Sequence, residues 1–322
     1  MSKEKFLKIP KLNMSVLPTP LYKLENLSKG LFGNVYCKRD DLTGFAFGGN
    51  KTRKLDYLVA DALLKGSDTL IGVGANQSNF CRMASGAGVV NNFDVHLVLG
   101  GSKPEKPTGN LLIDYMFGAK VHHVESEEWD VWEDKGKELK KELTNEGRKV
   151  YWMPIGGSSP VGALGYVSAF FEIMEDCERL GVEFDYIVHA TGSAGTQAGL
   201  LVGRAMAGWK GEIIGMAVSK NKEQLTEEIY ELAIKTGEQF GVSIDKDNVI
   251  VDDSFIGEKY GVITPEGAKA VNLFARKEGI LLDYVYTGKA AAGLINYSRR
   301  SIFTDRNNVL FIHTGGNIHL FK

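Results

Sequence analysis

From Val35 to His313, short runs of β-branched and aliphatic residues alternate with longer segments whose apolar residues recur at helical spacing. Leu55, Leu58, Val59, Ala62 and Leu63 fall at i, i+3, i+4, i+7 and i+8, one face of a helix ended by Gly66. Buried strands are expected at Val35–Lys38, Thr69–Val73, Val95–Leu99, Lys120–Val124, Val150–Met153, Tyr186–His189, Ile213–Ala217 and Val309–His313. Helices are expected at Asn76–Val90, Thr108–Phe117, Trp129–Glu146, Val161–Leu180, Thr196–Met206, Lys222–Phe240, Pro265–Lys277 and Gly288–Arg299, while the stretch up to about Lys38 reads as extended. Strands linked by helices form β-α-β units, hence parallel sheets covered on both faces. The Gly/Ser/Pro loop Gly156-Gly157-Ser158-Ser159-Pro160 separates two such runs, so a domain boundary is expected within 151–165. Two doubly wound lobes place a ligand between them, at the C-terminal strand edges.

Glycine is in excess, 38 of 322 residues or about 12% against a usual ~7%. With 8 prolines and no repeat, these glycines serve tight turns and close backbone approach to a ligand. The formal net charge of −2 argues against a nucleic-acid or polybasic membrane-surface protein. No apolar run approaches the ~20 residues that a bilayer requires. Met1 to Pro10 lacks the apolar core of a signal peptide, and Cys37, Cys81 and Cys177 are far apart with no C-x-x-C. A cytoplasmic chain without disulfides is therefore expected. His122 and His123 alternate across a strand and cannot chelate one metal, so no metal site is expected.

Three loops carry chemistry-bearing residues. In Gly48-Gly49-Asn50-Lys51-Thr52-Arg53-Lys54, a lysine follows a flexible loop at the first turn of a helix. The helix dipole, Arg53 and Lys54 disfavour its protonated form, which suits a Schiff-base nucleophile; the segment equally reads as a solvated basic helix start. Gly74-Ala75-Asn76-Gln77-Ser78-Asn79 sets amides and a hydroxyl at a helix N-terminus, which fits either a carboxylate site or a plain cap. Thr191-Gly192-Ser193-Ala194-Gly195-Thr196 has the glycines and hydroxyls of a phosphate cradle. It matches neither the dinucleotide nor the triphosphate-loop pattern, so a different phosphate-bearing cofactor is favoured over NAD or ATP. Asp283-Tyr284-Val285-Tyr286-Thr287-Gly288 and His313-Thr314-Gly315-Gly316 complete the set.

Together these motifs resemble the fold type II pyridoxal-phosphate (PLP) enzymes, the tryptophan-synthase-β-like group, and within it the D-cysteine desulfhydrase and 1-aminocyclopropane-1-carboxylate (ACC) deaminase family. The resemblance runs almost the whole chain, from Leu17-Pro18-Thr19-Pro20-Leu21 through Lys38-Arg39-Asp40-Asp41, residues 48–55, Gln77-Ser78-Asn79 and Gly162-Ala163-Leu164-Gly165-Tyr166 to Glu278–Asp283 and residues 313–316. It implies an α/β fold of two doubly wound parallel-sheet domains, a large PLP-binding one over 1–54 plus 161–322 and a smaller inserted one over 55–160. It further implies a homodimer that acts on a small amino acid. In the roles it implies, Lys51 carries the cofactor as a Schiff base and moves the substrate's α-proton. Asn79 bonds the cofactor's 3′-oxygen, and Gly192, Ser193, Ala194, Gly195 and Thr196, with Lys54, hold its phosphate. Thr287 and Thr314 lie at the pyridine ring. Ser78, Tyr286 and Tyr260 are catalytic; Asn76, Gln77, Ser78, Asn79 and Gly157 face the substrate.

ACC deaminases resemble this chain but carry glutamate where Thr287 stands. A threonine hydroxyl supplies no negative charge to keep a ring nitrogen protonated. The weaker electron sink suits β-elimination, so conversion of D-cysteine to sulfide, pyruvate and ammonia is expected. L-cysteate sulfo-lyase and ACC-deaminase-type reactions are the alternatives, with a non-catalytic ligand-binding α/β protein as the alternative of a different class. Phe80, Tyr284 and Asn317 depart from the residues usual in D-cysteine-type members.

Overall fold

The computed structural model describes residues 2–31 and 33–321. Met1, Phe32 and Lys322, which the expected large domain includes, lie outside them. The first elements are α1 (Ser2–Leu7), β1 (Leu21–Lys23), α2 (Glu25–Ser28), β2 (Asn34–Lys38), α3 (Asn50–Leu64), β3 (Thr69–Ala75), α4 (Asn79–Val90), β4 (Asp94–Gly100), α5 (Gly109–Met116), β5 (Lys120–Val124), α6 (Trp129–Asn145) and β6 (Val150–Met153). There follow α7 (Pro160–Leu180), β7 (Tyr186–Thr191), α8 (Gly195–Ala207), β8 (Glu212–Ala217), α9 (Lys222–Gly237), β9 (Ile250–Asp252), α10 (Pro265–Glu278), α11 (Thr287–Arg299) and β10 (Asn308–Ile312).

The strands form two sheets, ordered β1-β2-β10-β7-β8-β9 and β5-β4-β3-β6. All pairs are parallel except β1 with β2, which is antiparallel at the edge. Each sheet has apolar clusters drawn from its strands and the helices packed on it: Ile187, Ile213 and Leu310 with α7 and α8, Val188, Ile214 and Phe311 with α10 and α11. In the four-stranded sheet, Leu70 and Leu97 meet α3 and α4, while Ile71 and Val98 meet α6. Strands buried on both faces explain the near-continuous apolar runs of β3, β4, β7 and β10.

Two expectations need correction. The N-terminal stretch is not uniformly extended: α1 forms there, because Phe6 inserts among Tyr57, Phe171 and Phe240 and a single turn suffices to bury it. The helix expected from Asn76 starts at Asn79, because the Ser78 hydroxyl accepts the Cys81 N–H and caps it. Residues 76–78 are thereby left as a loop.

Candidate active site

Strand ends from both sheets converge on one cavity of about 790 Å³, including its open mouth. Its wall contains Gly74 and Ala75 from the end of β3, Ala190 and Thr191 from the end of β7, Ser219 just past β8, and Thr314 and Gly315 just past β10. Parallel strands all present their C-terminal ends on one side, so loops distant in sequence meet there.

Lys51 enters the cavity from the second residue of α3. The turn before it requires glycine. Gly48 has φ +68°, with Asp41 O 2.1 Å from where a Cβ would stand. Gly49 has φ +124°, with Met83 Cε at 2.8 Å and Thr314 O at 3.2 Å. The Asn50 N–H donates to Thr314 O at 2.9 Å and its amide to Thr196 Oγ1 at 3.2 Å, tying this turn to two other loops. Lys51 has no hydrogen-bond or ion-pair partner among the described residues, and burial lowers its pKa to about 8. The cause differs from the one read in the sequence. Arg53 does not act on Lys51: its guanidinium is spent on Asp40 and Glu172, at 2.8 and 2.9 Å. Lys54 is also lowered, by burial first and by Lys51 second, and donates to Gly156 O at 3.1 Å.

Ser193, Ala194 and Thr196 line the cavity where α8 begins. Ala194 holds φ +65°, a turn that opens α8 at the cavity edge, where a helix's first N–H groups have no intrahelical acceptor. Ser158 Oγ donates to Ser193 Oγ at 3.0 Å and accepts the Gly195 N–H at 3.3 Å. A Cβ on Gly195 would stand 2.7 Å from Lys54 Nζ, so glycine keeps the lysine against the loop. The buried Thr191 hydroxyl has no hydrogen-bond partner among the described residues. Helix N–H groups, hydroxyls, an orphaned hydroxyl and a lysine make a suitable cradle for a phosphate ester.

Ser78, Asn79 and Phe80 line the cavity from the start of α4. Tyr260 and Tyr286 close one side, with their hydroxyls hydrogen-bonded to each other. Burial raises the Tyr260 phenol to about 12, and burial with Tyr260 raises Tyr286 further, so both stay protonated at neutral pH. Trp129 and Trp132 of α6 also line the wall, Trp129 edge-on to Tyr260 at 5.9 Å. Sequence reasoning missed these two tryptophans and Asn50. Nothing local marks a helix start 50 residues downstream as facing Ser78.

Six expected site residues are not among those lining the cavity: Lys54 and Gly195, which sit behind the phosphate-cradle loop, and Gln77, Asn76, Gly157 and Thr287. Gln77 turns to α5, where its amide donates to Thr108 O and accepts the Asn110 N–H. The Asn76 amide donates to Ser102 O. Both brace the loop, because it ends before α4 begins. Gly157 sits just behind the wall, packed on Phe80 and Leu58. Thr287 is fully buried, and its hydroxyl donates to Asp283 Oδ1 at 2.7 Å while accepting the Asp283 N–H at 2.9 Å. Its single proton is thus committed, and it has none to give a ring nitrogen. Of Phe80, Tyr284 and Asn317, only Phe80 reaches the cavity. His122 meets His96 on β4 and His123 meets Tyr115 on α5, so the pair diverges.

The model of the family described as pyridoxal-phosphate dependent enzyme matches residues 12–315. A Pyrococcus furiosus protein with the provisional name 1-aminocyclopropane-1-carboxylate deaminase is 44% identical over 96% of this chain and 92% of its own length. The D-cysteine desulfhydrase of Klebsiella pneumoniae is 39% identical over 100% of this chain and 98% of its own. The crystal structure of an ACC deaminase homologue superposes with a TM-score of 0.93 at 38% identity, covering 99% of this chain and 96% of that one. A tomato threonine deaminase shares the fold at 16% identity and a TM-score of 0.72, over 98% of this chain and 84% of that one.

Proposed function

Because the chain belongs to the pyridoxal-phosphate-dependent enzymes and is a lyase of the ACC deaminase and D-cysteine desulfhydrase family, we propose that its substrate is D-cysteine. The products are sulfide, pyruvate and ammonia. One observation carries the choice: a pair of neutral phenols faces a cavity in which Lys51 is the only cationic side chain among the lining residues. A thiol leaving group needs a proton, which a phenol supplies. A sulfonate, as in cysteate, needs a fixed cation, and the wall around it is aromatic instead, built from Phe80, Trp129, Trp132, Tyr260 and Tyr286.

Pyridoxal phosphate, when bound, withdraws electrons from the substrate's α-carbon. The protein's residues orient the reactants and move the protons. Lys51, with a pKa near 8, is partly neutral at physiological pH and is the nucleophile that holds the cofactor. The Lys51 amine would also be the base that accepts the substrate's α-proton. Lys54 and the Gly192–Thr196 loop would hold the phosphate, and Thr314 would lie beside the ring. Asn79 donates its amide to the ring's phenolic oxygen. The Ser78 hydroxyl, whose oxygen already accepts the Cys81 N–H, directs its proton to the substrate carboxylate. The Cα–H and Cβ–S bonds break, and the Tyr260–Tyr286 pair protonates the departing sulfur. The released aminoacrylate takes up one water to give pyruvate and ammonia. A cofactor ring nitrogen directed toward Thr287 would meet no charged side chain from that residue, which would weaken the electron sink and favour elimination over cyclopropane opening.

The same reading takes 1–54 plus 161–322 as the cofactor-binding domain and 55–160 as the inserted one, and the protein as a cytoplasmic homodimer. The test is steady-state kinetics on D-cysteine, L-cysteine, L-cysteate and ACC. D-cysteine should give sulfide and pyruvate in equal amounts, with kcat/KM at least ~10-fold above the others. Faster turnover of ACC or cysteate would overturn the assignment.

A further inference from the structure

Behind Asn79 lies a buried cation that the reaction outlined above does not use. Arg82, one turn along α4, is 1% exposed and forms no ion pair among the described residues. Its Nη1 donates to Asn79 Oδ1 at 2.8 Å and to Asn110 Oδ1 at 2.6 Å, and its Nη2 donates to Gly48 O at 3.0 Å. All three acceptors are neutral carbonyl oxygens. Asn110, itself fully buried, donates its amide to Asn79 Oδ1 at 3.0 Å and to Gln77 O at 2.8 Å. Asp114, the carboxylate nearest in electrostatic effect, is bound to Ser85, and burial raises it to about 7. At neutral pH it is therefore only partly ionised and compensates Arg82 only in part, and burial lowers the guanidinium itself to about 10.

Two physical consequences follow. A guanidinium can only donate, so the Asn79 atom facing it must be the oxygen. The other end of that amide, Nδ2, donates to no described group and belongs to a residue on the cavity wall. Arg82 and Asn110 thus fix which end of Asn79 meets a ligand. A buried cation held only by neutral oxygens is also costly unless a negative charge arrives nearby.

We infer that Arg82 is a positioning residue that, through Asn79, orients a hydrogen-bond donor and projects positive potential onto an anionic oxygen of the bound cofactor. The inference rests on the reading of Asn79 as the partner of the cofactor's phenolic oxygen. Other titratable groups around this point are Lys51 and Lys54 on α3, Cys81 on α4, Asp114 on α5, His189 on β7, and Tyr260, Asp283 and Tyr286. None of these makes a hydrogen bond to Asn79.

The experiment is a pH titration of the visible absorption of the holoenzyme, which reads loss of the proton shared between Lys51 and the phenolic oxygen. Positive potential favours the deprotonated form, so Arg82→Gln should raise the midpoint by about one pH unit or more. Arg82→Lys, which keeps the charge and loses the fork, should leave the midpoint near wild type while weakening PLP binding by equilibrium dialysis. Asn110→Asp, nearly isosteric, places a carboxylate against Arg82 and should raise the midpoint even if Arg82→Gln does not fold. Midpoints unchanged in both Arg82→Gln and Asn110→Asp, or an unchanged Asn110→Asp midpoint alone where Arg82→Gln does not fold, would overturn the inference. Asn79→Ala separates the two levels. If it moves the midpoint and the Arg82 and Asn110 variants do not, the Arg82 inference fails alone. If none moves it, the reading of Asn79 fails with it.

Discussion

At Lys51, the lysine proposed to hold the cofactor, burial of an amine carries a cost to the fold. Burial lowers its pKa to about 8 from an ordinary 10.5. A depressed folded-state pKa means stability that is fully present above the unfolded value and lost as pH falls from about 10.5 through about 8. Lys51→Met should therefore raise the stability of the cofactor-free protein at pH 7 by roughly 1–3 kcal/mol, discounted for its partial exposure. The gain should fade between pH 8 and 10.5 in denaturant melts. A lysine on the protein surface would show no such dependence. The residue types at this site were legible in the sequence because glycine turns, a lysine and hydroxyl loops follow strands at recognisable spacing. Their orientations were not. Whether Thr287 offers a proton outward or commits it to Asp283, and whether Gln77 faces the cavity or α5, depends on neighbours that only the fold supplies.

Between elements, a buried network holds α3 against β2 and α7. Arg53 of α3 bonds Asp40 and Glu172, Lys38 of β2 bonds Asp176 at 2.5 Å and Glu172 at 2.7 Å, and the Tyr166 hydroxyl donates to Asp40 at 2.6 Å. Arg53 stands two residues from Lys51, so this network anchors the helix turn from which Lys51 projects. Burial pushes the Glu172 carboxyl up, but Arg53 and Lys38 hold it down to about 2. Its contribution is thus present above about pH 4.5 and is lost as pH falls toward 2. Arg53→Met, which leaves Asp40 without its cation and Glu172 with Lys38 alone, should cost about 3–5 kcal/mol in urea unfolding at pH 7 and less near pH 3. A change under 1 kcal/mol at pH 7 would show that the network does not hold the helix. The contact of α7 with α8 depends on Gly199, where a Cβ would stand 2.2 Å from Ala163 O. Gly199→Ala should lower stability by about 1–3 kcal/mol in the same assay. Helices and central strands were readable from periodicity, while α1 and the three-residue strands β1 and β9 were not, because each is shorter than two periods of its own pattern.

Across the whole molecule, the two parallel sheets explain why one site draws on residues from Asn50 to Gly315. The alternation of strands and helices already implied this arrangement, and ligand binding at their C-terminal edges follows from it. The aromatic wall from α6 was invisible in sequence, because Trp129 meets Tyr260, and Trp132 joins the same cavity, only once the fold brings α6 to the site. Long-range steering of substrate by charge is not expected from a molecule of net charge −2, so selectivity rests on the cavity itself. The central claim is that Lys51 carries pyridoxal phosphate and that this site eliminates sulfide from D-cysteine. The most direct test is borohydride reduction of the purified holoenzyme followed by peptide mass mapping, with sulfide and pyruvate assayed from D-cysteine on an unreduced sample. The account predicts a pyridoxyl-phosphate label on Lys51 and both products in equal amounts. A label on another lysine, or no sulfide from a protein labelled at Lys51, would contradict it.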